Sequence, residues 1–212
     1  IKPATPTRST IRPSDLTFGL STCRRCLWIF YWFKVQAPLT MPLVSTLADQ
    51  QETLFQGAKL RDIDPSLGDG TITKWGQFIN SAKIKVNGEE TRWRFYGKYD
   101  VLGENSDGSL AIIDCKVSDS DRDSAAHYAP QLEAYAYSLE NPAVGEGQRV
   151  GFGCVPSQAD GAHPRIQLLG VDQRRLHRNQ AADARHVRRV LRAVRGIHPH
   201  TRVERIRHDA EH

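Results

Sequence analysis

The chain has 212 residues, 39% of them hydrophobic and 25% charged, with a formal net charge of +5. This is the composition of a globular protein with enough length to bury one core, and it excludes collagen-like and low-complexity chains. No apolar run reaches the about 18 residues of a membrane span, and four cysteines are too few for a secreted disulfide scaffold, so the reading is a cytoplasmic protein with reduced thiols.

In chain order, residues 1–10 carry Pro3, Pro6, Ser9 and Thr10 and read as a disordered leader. Ser14 and Asp15 are candidate caps for a helix over 16–20. The aromatic-dense stretch 23–33 reads as a core-packing helix. Residues 43–55 predict a second helix: Leu43, Leu47 and Leu54 fall near helical spacing, and Asp49, Gln50, Gln51 and Glu52 form a polar face. Residues 61–73 have loop composition.

The periodicity then becomes that of strands, over 84–86, 91–102 and 110–117. Turns at Asn87-Gly88 and Asn105-Ser106-Asp107-Gly108 join them into an antiparallel meander. A helix over 124–139 stops at Asn141-Pro142, and a fourth strand is expected over 149–155. Strand, helix, strand is a crossover, which sets the fourth strand parallel to the third. The fold class is therefore α/β, a mixed four-stranded sheet flanked by helices in the order α-β-β-β-α-β, occupying residues 11–160.

Residues 161–212 differ in character. From Ala162 onward there are twelve arginines against five acidic residues, a net of +7, which leaves −2 on the preceding 161 residues. Seven of the eight histidines lie there, and no lysine follows Lys116. An Arg-rich helix over 174–194, a solvated or disordered tail, and an out-of-frame end all suit this composition. A basic tail seeks phosphate, and a slightly acidic body suits a metal site.

The chemistry concentrates in three short segments: Gly97-Lys98-Tyr99-Asp100, Asp114-Cys115-Lys116, and Gln131-Leu132-Glu133-Ala134-Tyr135. Residues two apart on a strand share a face, so Asp114 and Lys116 project together while Cys115 turns into packing. Asp100, on the neighbouring strand, can face the same point. Two close carboxylates repel unless a cation holds them, and oxygen ligands suit Mg²⁺ or Mn²⁺. Such a cation activates water on a phosphodiester, with Lys116 positioning the water or neutralising the phosphate. Gln131 and Tyr135, four apart on a helix, share one face and can hydrogen-bond the site or a nucleic-acid backbone. His127, on the same helix, reads as a surface or packing residue.

Residues 94–142, with these three segments, resemble the RecB-like exonuclease branch of the PD-(D/E)xK superfamily, which includes CRISPR-associated exonucleases. Cys23-Arg24-Arg25-Cys26 and the aromatics behind it resemble the opening segment of that branch, so the resemblance runs from about residue 14 to about 156. It implies a restriction-endonuclease-like core and a Mg²⁺- or Mn²⁺-dependent deoxyribonuclease. It also implies metal binding by Asp100, Asp114 and the Cys115 carbonyl, catalysis by Lys116, and support from Gln131 and Tyr135. The branch often carries a further ligand on the first helix, for which Glu52 is the candidate here. Some relatives hold a four-cysteine iron–sulfur cluster. None is expected here, because Cys115 should point into the core and nothing cysteine-rich follows Cys154. DNA is the expected partner. The sequence has no GxxxxGK[ST] phosphate loop, so a helicase acting with it would be a separate protein. The rival readings are an inactive nucleic-acid-binding module of the same fold, an adaptor that binds through its Arg-rich tail, and a zinc or redox protein built on Cys23 and Cys26.

Overall fold

A computed structural model describes residues 3–35, 46, 49–50, 52–64, 67–118, 125–145, 147, 150–151 and 165–169. The N-terminal layer begins with strand β1 (Thr10–Ile11), a 3-10 turn (Pro13–Leu16), helix α1 (Phe18–Thr22) and helix α2 (Arg24–Phe33). Ser14 and Asp15 lie inside the 3-10 turn and do not cap a helix. The Asp15 carboxylate is taken instead by Arg12 and by the Tyr31 hydroxyl. α2 is the expected aromatic core helix: Leu27, Trp28, Phe30, Tyr31 and Trp32 are buried.

The leader differs from its expected disorder over the part described. The Arg8 amide and the Thr7 hydroxyl both donate to the Tyr31 carbonyl at the end of α2, and β1 pairs in parallel with Arg94 and Phe95. Proline- and serine-rich chain suits an extended path, and here the path is tied down by a helix end and a sheet edge.

After the described part of residues 46–54, which is helical, come α3 (Leu60–Ile63), β2 (Thr71–Trp75), β3 (Phe78–Asn80), β4 (Lys85–Val86), β5 (Glu89–Glu90), β6 (Arg94–Lys98), β7 (Val101–Glu104) and β8 (Leu110–Ser118). Helix α4 (Ala125–Glu140), β9 (Val150–Gly151) and β10 (Arg165–Leu169) complete the order. The loop expected over 61–73 is corrected by α3 and by the start of β2. The turn-forming residues gather before Thr71, and Thr71–Trp75 then alternates exposed and buried positions as a half-buried strand does.

The long strand expected over 91–102 is two strands in two sheets. β6 lies between β1 and β3, whereas β7 lies between β2 and β8 in a five-stranded sheet of order β10-β8-β7-β2, with β9 also on β8. The chain changes sheets at Tyr99 and Asp100. The Asn87-Gly88 turn is present, with φ of 56° and 83°, but it closes only the small hairpin of β4 and β5. β9 runs parallel to β8, as the crossover requires, and the other pairings of this sheet are antiparallel, so the sheet is mixed.

β10 pairs Arg165–Leu169 against Ser118–Asp114, so the first part of the Arg-rich region joins the sheet. The helix expected over 174–194 lies outside the described residues, as do Cys154 and most of the expected strand 149–155.

β8 is apolar without alternation because both of its faces are covered. Leu110 and Ile112 pack with Leu132, Tyr135 and Ala136 of α4. Ala111, Ile113 and Cys115 pack on the other side with Leu60, Leu67 and Ile72. A third cluster, around Ile11, Leu27, Phe30, Tyr31, Trp93 and Phe95, joins α2 to the smaller sheet.

Candidate active site

The site forms where β8 passes under α4. Asp114 and Lys116 continue the Leu110–Ile112 face of β8, while Cys115 is buried on the opposite face. The β7–β8 register pairs Val101 with Ile113, and one residue further it sets Asp100 opposite Asp114. Asp100 sits at the bend between sheets. There its Oδ2 accepts the Cys115 amide at 2.7 Å, and its carbonyl accepts the Gly76 amide.

The Asp114 carboxylate is buried and faces two donors. Gln131 Nε2 donates to Oδ1 at 3.0 Å, and the Lys116 ammonium lies 2.5 Å from Oδ2. Oδ2 accepts no hydrogen bond of good geometry. The Lys116 ammonium also stands 5.2 Å from the centre of the Tyr128 ring.

Burial, and then the Asp114 charge, push the Asp100 carboxyl up to about 6, against the opposing pull of Lys116 and the Cys115 amide. Burial also raises the Asp114 carboxyl, again against Lys116. Burial works to lower the Lys116 ammonium, but Asp114, Asp100 and Tyr128 outweigh it and the net shift is upward, so the lysine stays charged.

Supporting contacts come from α4 and the N-terminal layer. Tyr135 donates its hydroxyl to the Lys98 carbonyl at 2.7 Å, which ties α4 to the end of β6 just before Asp100. Gln131 Oε1 lies 3.4 Å from the Thr17 hydroxyl. Gly97 is a glycine for a steric reason: a Cβ there would come within 2.7 Å of Pro13 and 3.6 Å of the Tyr135 ring.

Glu52 reaches the rim. Its Oε1 accepts Lys98 Nζ at 2.7 Å, and its charge contributes to raising Asp100. His127 is exposed and packs edge-on to Phe18 and Tyr128.

The fold thus brings Asp100, Asp114, Lys116, Gln131 and Tyr135 into one cluster, with Glu52 linked to its edge through Lys98. Reading the sequence alone passed over Tyr128 and Thr17. Tyr128 stands three residues before Gln131, which on a helix is one face, so that spacing was a usable signal. Thr17 had none, because it meets Gln131 across 114 residues of chain.

The donor set fits a hard divalent cation: two neighbouring carboxylates of raised pKa, Asp114 buried and Asp100 half-buried, with oxygen donors. Among the described residues no three His, Cys, Asp or Glu side chains converge, so water and substrate oxygens would have to complete the shell.

A family model described as the PD-(D/E)XK nuclease superfamily matches residues 40–211, a span that takes in both the site and the Arg-rich region. Comparison with curated proteins and with solved structures gives no match. With the family model covering most of its length and the mixed sheet carrying the Asp-Cys-Lys strand, the chain belongs to the PD-(D/E)XK nuclease superfamily.

Proposed function

We propose that this protein is a Mg²⁺- or Mn²⁺-dependent DNA nuclease of the RecB-like exonuclease branch, with Asp100, Asp114 and Lys116 as its reactive centre. The observation that carries the reading is the buried Asp114 carboxylate, its Oδ2 in contact with the Lys116 ammonium, beside a second carboxylate of raised pKa.

In this reading Asp100, Asp114 and the Cys115 carbonyl hold the cation, and Glu52 joins them by releasing Lys98. When bound, the cation polarises the phosphodiester and acidifies the attacking water. Lys116 keeps its proton, so its role is electrostatic: its Nζ leaves Asp114 Oδ2 and holds the negative charge that develops on a phosphate oxygen. Gln131 fixes Asp114 through Oδ1 and leaves Oδ2 free to turn to the cation. Tyr135 fixes the backbone that carries Asp100.

The test is cleavage of end-labelled single- and double-stranded DNA by the full chain with Mg²⁺, Mn²⁺ or EDTA, beside Asp114→Ala and Lys116→Ala. Metal-dependent cleavage that both substitutions abolish is expected, with single-nucleotide products from an end marking an exonuclease. A folded protein that binds DNA and cleaves nothing with either metal would be the inactive binding module of the same fold.

A further inference from the structure

The smaller sheet has two unlike faces. Ile79 and Phe95 point inward and are buried, whereas Phe78 is 64% exposed and Tyr96 42% exposed. These two rings stand on adjacent strands and stack on each other, with centroids 5.4 Å apart and planes 16° apart. Single exposed apolar residues are ordinary. Two large rings held parallel in the open are a flat π-surface with an exposed edge.

Two basic side chains share this face, Arg94 and Lys98, the latter held at 2.7 Å by the Glu52 carboxylate from outside the sheet. Alternation along β6 places Arg94, Tyr96 and Lys98 together, and the pairing with β3 sets Phe78 beside Lys98 and Asn80 beside Tyr96. Neither strand contributes an acidic residue. Arg94 makes no ion pair among the described residues. β6 then runs directly to the bend at Asp100. Asp100 stands four positions after Tyr96, a distance of at most about 13 Å at strand rise.

From this placement we infer that Phe78 and Tyr96 form a base-stacking platform for single-stranded DNA, with Arg94 and Lys98 on the phosphates, leading a strand toward Asp100 and Asp114. Every base has a π-face, so aromatic platforms flanked by cations hold unpaired strands without regard to sequence. A base pair inside a duplex is already stacked on both sides and cannot use the platform. The inference names the substrate of the proposed nuclease and rests on that reading for its direction, though not for the binding itself.

A second copy of the chain is a poorer occupant. Two rings bury at most about 500 Å², below the roughly 800 Å² per partner of a stable interface. Copies stacked here would also bring Arg94 and Lys98 toward their own equivalents. A cross-strand aromatic pair also adds some stability to the sheet, which alone would predict no effect on binding.

The experiment measures anisotropy of a labelled fifteen-nucleotide oligothymidylate, and of the same strand made abasic, with the full chain in EDTA. Phe78→Ala, Tyr96→Ala, Phe78→Leu and Phe78→Trp are compared, with circular dichroism as the check on folding. The expected result is that the thymidylate strand binds about 10-fold or more tightly than the abasic strand. Each alanine variant should lose about 10-fold on the thymidylate strand only. Tryptophan should retain the affinity and leucine should not, which separates stacking from mere bulk.

Equal affinity for the two strands, alanine variants with unchanged binding, or dimerisation that depends on Phe78 while strand binding does not would each overturn the platform. These outcomes are independent of the nuclease reading. Base-dependent binding in a protein that cleaves nothing keeps the platform and removes the nuclease, and metal-dependent cleavage without base-dependent binding does the reverse.

Discussion

Asp15 and Asp114 are both almost fully buried, 3% and 2% exposed, yet they are treated in opposite ways by their surroundings. Arg12 reaches Asp15 through two nitrogens, at 2.7 and 3.0 Å, and the Tyr31 hydroxyl adds a third contact at 2.7 Å. Both of its oxygens are satisfied, and Arg12 in turn lies over the Phe30 ring. Asp114 has one amide, one ammonium and a second carboxylate across the strand pair. A buried carboxylate whose partners are complete is a structural joint. One with fewer donors and a second carboxylate beside it is costlier to bury.

The sharpest way to break this comparison is to remove each charge in turn. Asp15→Asn should cost about 2–3 kcal/mol in urea unfolding, because Arg12 loses its charged partner under the aromatic layer. Asp114→Asn, measured without metal, should cost less than half as much, since relief of the repulsion with Asp100 offsets the weakened Lys116 contact. The same Asp114 variant should remove metal-dependent cleavage entirely, while Asp15→Asn, assayed under conditions where it is folded, should keep it. Equal losses of stability would show that Asp114 is a structural joint as well.

A smaller effect is expected behind the carboxylate. Gln131→Ala should lower metal affinity or activity by about 10- to 100-fold, because the amide orients Asp114 without touching the substrate. Isothermal titration with Mn²⁺ separates a loss of affinity from a loss of turnover.

The smallest effect is a slope with pH. The Asp100 carboxyl is raised to about 6 in the fold from an ordinary value of 3.8. A raised folded pKa means that the native state binds the proton more tightly than the unfolded chain. The stability it contributes is therefore complete below pH about 4 and lost as pH climbs through about 6. Metal-free protein should weaken across that window in urea titrations, and Asp100→Asn should flatten the slope.

Much of this contrast was legible in the sequence, and the reasons are local. Asp114 and Lys116 two apart in an apolar run, a turn before them and a helix after them placed the site on a strand within a crossover. Gln131 and Tyr135 four apart placed its support on one helix face. The N-terminal joint was misread: Ser14 and Asp15 have the side chains of helix caps, and only the folded chain shows that Tyr31 takes Asp15 instead. β2 was hidden by the turn-forming residues that precede it, and β10 by the arginine content around it. The division of 91–102 into two strands has no compositional mark, because both halves keep strand periodicity and the change of sheet is decided by their partners, β3 and β2.

That change of sheet has a mechanical consequence. β6 and β7 belong to different sheets, and only residues 99 and 100 lie between them. Any sliding of one sheet over the other would be delivered to this short link nearly undiminished, where the Asp100 carboxylate rests on the Cys115 amide. Displacements of about an ångström are enough to cost a reaction its alignment. Volume changes at Ile79 or Leu102, which pack in one cluster with Tyr99 of this link, should therefore be felt first in how well the site is aligned and only later in how stably the protein folds.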